Sequence, residues 1–86
     1  IKEEVLDSED IAIYIIQKML KEYPDNIINR YNITEKEDII IILDEIGKKI
    51  GALRNSETDY DRVYKRVIKD LQDGYLGKVT FDKIKV

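Results

Sequence analysis

Residues 59–73 read DYDRVYKRVIKDLQD, and this stretch decides the fold. At about 100° per residue, Tyr60, Val63, Tyr64, Val67, Ile68 and Leu71 fall along one side of a helix. Arg62, Lys65, Arg66 and Lys69 repeat the same i, i+3, i+4, i+7 rhythm displaced by half a turn, within roughly 120° of arc. One face is built for burial and the other presents four cations. Such a helix gains most of its stability from what it packs on, so the rest of the chain must supply partners.

Outward from this helix, the flanking signals are clear. Thr58 or Asp59 caps its start, and Gly74 ends it. Gly77 follows with Tyr75 and Leu76 between, which predicts a tight reversal. The final residues, KVTFDKIKV, alternate Val79, Phe81 and Ile84 with polar neighbours and are expected as an extended C-terminal tail. On the other side, residues 51–58 form a polar connection carrying Arg54, Asn55 and Ser56. Before it, Thr34-Glu35-Lys36-Glu37 reads as a capping box that opens a third helix running to Ile50 and closing at Gly51. Ile39, Ile42, Leu43, Ile46 and Ile50 make its stripe, and Ile40 and Ile41 fall outside it. Apolar on more than one side, this helix is expected to be central. Four consecutive isoleucines also suit a strand, but the caps and the length favour helix.

At the N-terminal end, Asp7 and Ser8 are candidate caps, with Glu9 and Asp10 in the first turn. That helix runs to about Glu22 over Ile11, Ala12, Ile15, Ile16 and Met19, widened by Ile13 and Leu20, and Pro24 stops it. A short helix follows from Pro24 to Tyr31, with Ile27, Ile28 and Tyr31 inward and Asn32 at its end. The expected architecture is all-α: a small bundle of three longer helices and one short helix, in one domain covering residues 1–86.

Composition narrows the chemistry. Hydrophobic residues at 43% and charged residues at 38% describe a folded helical domain rather than a disordered tail. Without Cys there is no disulfide, thiolate metal site or thiol catalysis; without His the usual near-neutral base is missing. No glycine-rich run ending in Lys-Ser or Lys-Thr is present to cradle a nucleotide phosphate. Asp7, Glu9 and Asp10 lack the ligand spacing of a calcium loop and read as helix-start dressing, so no metal site is assigned. Asp44-Glu45 reads as a solvated patch. Intrinsic catalysis is therefore not expected. The longest apolar run, residues 39–43, is far short of the roughly 20 residues that span a bilayer. The first residues hold no apolar signal segment, and the chain, which starts without Met, reads as a piece of something longer.

Charge is lopsided. Residues 1–47 hold 5 basic and 12 acidic side chains, net −7, whereas residues 48–86 hold 10 basic and 6 acidic, net +4. The C-terminal half is the one that can approach phosphates. Lys48, Lys49, Arg54 and Lys78 extend the helical stripe at its two ends. The bland alternative is a solvated face with i, i+4 pairs such as Asp61 with Lys65, and Lys48 and Lys49 as helix C-terminal cations. Because both residues stand in solvent on the helical projection, Arg66→Glu together with Lys69→Glu is expected to leave the fold intact and abolish RNA association. Tyr14, Tyr23, Tyr31 and Tyr64 sit on apolar faces and read as core or core edge. Tyr75, beside Lys78, is either a stacking surface for an unpaired base or a lid over the core.

Taken together, these residues resemble a known family. Val5-Leu6-Asp7, Ala12, Tyr14, Tyr23-Pro24 and Arg30-Tyr31, then Ile46-Gly47, Gly51, Leu53, Asp59, Arg62, Asp70, Gly74, Leu76-Gly77 and Thr80, form an ordered series over nearly the whole chain. The series is similar to the C-terminal domain of the YlqF, or RbgA, type of circularly permuted GTPase, which acts in large-subunit ribosome assembly. The chain departs from the pattern at Asn55-Ser56, where the family has Gly-Gly, at Ile50 (Arg), at Leu71-Gln72 (Phe-Arg) and at Tyr75 (often Lys). The resemblance implies an all-α domain similar to ANTAR-type RNA-binding bundles. It would dock an upstream GTPase domain on ribosomal RNA of the large (50S) subunit precursor, in the cytoplasm and as a monomer. GTP and Mg²⁺ would be bound upstream, with no cofactor in this portion. Arg62, Lys65, Arg66, Lys69 and Lys78 would contact phosphates, with Lys48, Lys49, Arg54 and Tyr75 extending the RNA-binding surface. The rival expectation is a protein-interaction module that docks on the GTPase domain or a ribosomal protein through Ile40 and Ile41.

Overall fold

The computed structural model describes residues 7–77, and the expected C-terminal tail and Lys78 lie outside them. Four helices, α1 (Ser8–Glu22), α2 (Pro24–Tyr31), α3 (Ile39–Ile50) and α4 (Tyr60–Gln72), carry the fold. A two-stranded antiparallel hairpin, β1 (Leu53–Arg54) and β2 (Glu57–Thr58), joins α3 to α4. α1 lies along α4 in the most extensive contact of the bundle, α2 folds back on α1, and α3 closes against α4, α2 and β2.

The expected stripes form the core. Ala12, Ile15, Ile16 and Met19 from α1 are fully buried and meet Val63 and Val67 of α4 in one cluster with Ile42, Leu43 and Ile46 of α3. Each such side chain contributes on the order of 1.5–3 kcal/mol by leaving water. Pro24 begins α2 one residue after α1 ends, and Asn32 terminates α2 in the left-handed region at φ 59°. Asp59 caps α4, its carboxylate accepting from the Arg62 amide at 3.4 Å.

Four expectations need correction. α3 is peripheral rather than central, because Ile40 and Ile41 stand 52% and 44% exposed. Asp7 occupies the cap position of α1, yet its side chain makes no capping bond. Tyr14 is 40% exposed, outside the core edge expected for it. The Thr34–Glu37 capping box does not form: α3 starts at Ile39 with Asp38 as its cap, accepting from the amides of Ile40 (3.0 Å) and Ile41 (3.4 Å).

The last correction gives the reason for the box's failure. Glu45, one turn and more into α3, accepts from the amides of Thr34 at 2.9 Å and Glu35 at 3.1 Å, and from the Thr34 hydroxyl. Glu35 in turn accepts from the amides of Glu37 and Asp38. The two amides that a local box would satisfy are thus taken by others, that of Thr34 by the tertiary carboxylate of Glu45 and that of Glu37 by Glu35. Asp44 is equally engaged, accepting from Thr58 Oγ1 at 2.8 Å and Tyr60 Oη at 2.7 Å. Asp44-Glu45 is thus no solvated patch; it ties α3 to the loop before it and to the hairpin after it. Burial opposes the Glu45 charge, but the bonds from Thr34 and Glu35 outweigh it and hold this carboxyl below its ordinary range.

The polar connection expected between α3 and α4 is built as this hairpin. Leu53 pairs with Thr58 and Arg54 with Glu57, so Asn55 and Ser56 form a two-residue loop at φ 54° and 67°. Positive φ at both central positions is the requirement of a type I′ turn, which Asn tolerates and Ser tolerates poorly.

Candidate nucleic-acid interface

The α4 amphipathicity is realised as read. Val63 and Val67 are buried while Arg62, Lys65, Arg66 and Lys69 are all exposed. These four line a shallow groove of about 280 Å³ together with Ile50 and Ala52, where the end of α3 meets α4. An adjoining groove of about 250 Å³ shares Ile50 and Arg66 and adds Arg30, Tyr31 and Lys49. Cations from α2, α3 and α4 thereby border one continuous surface.

Within it, three of the stripe cations have intrahelical partners: Lys65 with Asp61 at 3.0 Å, Arg66 with Asp70 at 3.2 Å, and Lys69 with Asp73 at 3.1 Å. Arg62 makes no ion pair among the described residues. The Lys65 and Lys69 pairs are between exposed groups, and such pairs are worth only about 0.3–0.5 kcal/mol.

The Arg66 pair is different, because Asp70 is 2% exposed. Its carboxylate accepts from Tyr31 Oη at 2.6 Å, Arg66 Nε at 3.2 Å and Arg30 Nε at 3.4 Å. Burial first, and then the bond to Asp70, push the Tyr31 hydroxyl far above the ordinary tyrosine range, so it stays a donor. Asp70 thus holds two guanidiniums from different helices at the surface. Sequence reasoning missed Arg30 as a member of this surface and Asp70 as a buried group. The i, i+4 spacing of Arg66 and Asp70 suggested a solvated pair, and nothing local points from α2 to α4. Arg66 is exposed as read, but its guanidinium is tied to a buried carboxylate, and Arg66→Glu would set a second carboxylate against it.

Tyr75 follows α4 in the turn spanning Gly74 and Gly77 and is 60% exposed. It is not a lid over the core; Leu76, fully buried, takes that role. The Arg30 guanidinium lies 4.6 Å from the Tyr75 ring centroid, linking this turn to the basic surface. Lys48 and Arg54 stand apart from the groove. Lys48 borders a separate depression with Asp44 and Glu57, and Arg54 faces Glu57 across the hairpin register. Acidic neighbours weaken the claim of both on phosphate. Lys78 is beyond the described residues.

Among the described residues, no group of three or more His, Cys, Asp or Glu side chains gathers as a metal site, and no helix is long and apolar enough to cross a membrane.

No protein-family model matches the chain. It is 40% identical over 84 residues to ribosome biogenesis GTPase A of Bacillus cereus, and 33% identical to the proteins of the same name from Priestia megaterium and Bacillus licheniformis. These alignments take in 95–96% of this chain but only 28–30% of each relative. The portion matched is C-terminal. By sequence, then, the chain corresponds to the C-terminal domain of the RbgA family of ribosome biogenesis GTPases.

Proposed function

We propose that this domain docks a ribosome-assembly GTPase on ribosomal RNA of the large-subunit precursor, through the basic face shared by α2, α3 and α4. The observation that carries the reading is the convergence of Arg30, Lys49, Arg62, Lys65, Arg66 and Lys69 on two adjoining grooves. Several cations at fixed spacing are what a phosphate backbone requires, each neutralised phosphate releasing condensed counterion. The parent protein hydrolyses GTP; nucleotide and Mg²⁺ are held in its upstream portion, while this domain supplies no catalytic group. The setting is the bacterial cytoplasm, with the domain acting as a monomer.

The test is association of the protein with large-subunit precursor particles and with naked ribosomal RNA across a salt series, for wild type and Arg62→Glu/Lys69→Glu. Both residues are exposed and neither touches Asp70, so the variant keeps its fold. Wild type binds with a steep negative salt slope, and the variant loses binding. Binding that ignores salt, or that survives the double reversal, overturns the proposal.

A second reading rests on Ile40 and Ile41, two large apolar side chains left exposed side by side on α3. They would dock on the GTPase portion or on a ribosomal protein. An apolar contact of this kind responds little to salt, which separates the two readings.

A further inference from the structure

We infer that the turn after α4 is a docking place for one unpaired RNA base, with Tyr75 as its stacking platform. The inference rests on the RNA-docking reading above and names the form of RNA taken: single-stranded or locally extruded, not duplex.

The turn is rigidly built. The Gly74 amide donates to the Leu71 carbonyl at 3.2 Å and the Tyr75 amide to the Asp70 carbonyl at 2.9 Å, the paired bonds of a Schellman ending. The Gly77 amide then closes on the Gly74 carbonyl at 3.0 Å, with Gly74 at φ +85° and Gly77 at φ +92°. Leu76 is the anchor, fully buried, and its carbonyl accepts from Asn26 Nδ2 of α2 at 2.9 Å. The backbone of residue 75 is therefore held from both sides while its ring is left in water. Burial cannot explain an aromatic there, since the adjacent leucine does the burying.

The chemistry around the ring suits a nucleobase. Arg30, itself held by Asp70, lies over the ring, so the platform is ordered before anything binds and little side-chain entropy is lost on stacking. A shallow groove of about 430 Å³ between α2 and the turn places the Asn29 carboxamide and the remaining carbonyl oxygen of Asn26 beside Tyr75. Amides lining the same groove can read a base edge. Asp25 in the same groove is unsuited to an apolar protein segment, and Tyr75 is its one exposed large hydrophobic group. Arg30 also lines the groove of Lys49 and Arg66, so a nucleotide stacked on Tyr75 has cations within reach for its phosphates. A duplex cannot use this arrangement, because its bases are stacked inside and A-form RNA offers side chains no accessible major groove.

The probe is a short single-stranded RNA carrying one 2-aminopurine, compared with the same strand annealed to its complement, at matched salt. The protein should bind the single strand more tightly and quench the 2-aminopurine. Tyr75→Ala should weaken single-strand binding about tenfold and abolish the quenching, with duplex binding and the salt slope unchanged. Tyr75→Phe, which keeps the platform, should bind as wild type. Circular dichroism should show that both variants are folded. If Tyr75→Ala binds the single strand as wild type does, or loses strand and duplex equally, the base site is refuted while RNA docking stands. If wild type binds neither RNA even at low salt, the docking reading itself falls and takes the base site with it.

Discussion

Asp70→Ala should destabilise the domain by about 2–4 kcal/mol, although the sequence sets Asp70 on a strongly charged helix. The magnitude follows from its three partners. Tyr31 is 1% exposed, and its hydroxyl donates to the buried carboxylate at 2.6 Å. A dry, charge-assisted bond of that kind is worth about 1.5–3 kcal/mol, and removing the acceptor leaves a buried donor unsatisfied. The arginines add less. Their side chains are 31% and 44% exposed, so water screens both, and each pair contributes at most about 0.5–1 kcal/mol. The Arg30 contact, at 3.4 Å, lies at the outer edge of hydrogen-bond geometry and belongs at the low end. For a domain of this size, total stability is on the order of 4–13 kcal/mol, so the loss is a large share. Thermal unfolding followed by circular dichroism should show a midpoint lowered by roughly 10–25 °C. Asp70→Asn can still accept from Tyr31 but carries no charge, and should cost about half as much. In a cycle with Tyr31→Phe, the coupling between the two sites should exceed about 1 kcal/mol. An Asp70→Ala variant within about 0.5 kcal/mol of wild type, or strict additivity in the cycle, would refute the claim that this carboxylate organises the surface.

Two further outcomes are expected. Ser56→Gly should stabilise the fold by about 0.5–1 kcal/mol in urea unfolding, because Ser56 occupies positive φ that glycine adopts without strain; a neutral or destabilising result would mean the turn relaxes around serine. Glu45 should make stability acid-sensitive. Its folded pKa lies below the ordinary value of 4.5, so its contribution is complete above about 4.5 and is lost as pH falls through the folded value. Urea midpoints measured down that range should fall, and Glu45→Gln should flatten the fall.

Elements whose stability is local were legible in the chain. The stripes of α1 and α4 state their own periodicity, and Pro24, Asn32 and Gly74 end or begin helices through dihedral preferences that need no partner. Elements settled by tertiary donors were not. Thr34 and Glu37 have the spacing of a capping box, but Glu45 competes for the Thr34 amide from eleven residues away, and spacing cannot weigh a competitor. The hairpin was hidden for a related reason. Asn55-Ser56 lacks the glycine that usually advertises a type I′ turn, and strands of two residues carry no alternation to read. Likewise Arg30 joins the basic surface only because α2, folded back on α1, brings its C-terminal end to Asp70 of α4, which the pattern of α2 alone does not state.

That surface also answers why a helix whose cations are mostly paired can still serve an anion. The exposed pairs of Lys65 and Lys69 are weak enough that, on the proposed docking, a phosphate bringing its own counterion release would displace Asp61 and Asp73 at a cost of a few tenths of a kcal/mol each. Arg66 and Arg30 work by another route. Asp70 engages each through Nε, and a guanidinium so held keeps its terminal nitrogens as donors. Because Asp70 is buried and also bound by Tyr31, a phosphate does not displace it. It fixes the two forks in place instead, which lowers the rotamer entropy that binding must overcome. On this reasoning the lysines set the salt dependence and the arginines set the geometry. On the proposed docking, Asp70, the one acidic side chain buried among the described residues, would strengthen anion binding even though its charge opposes it.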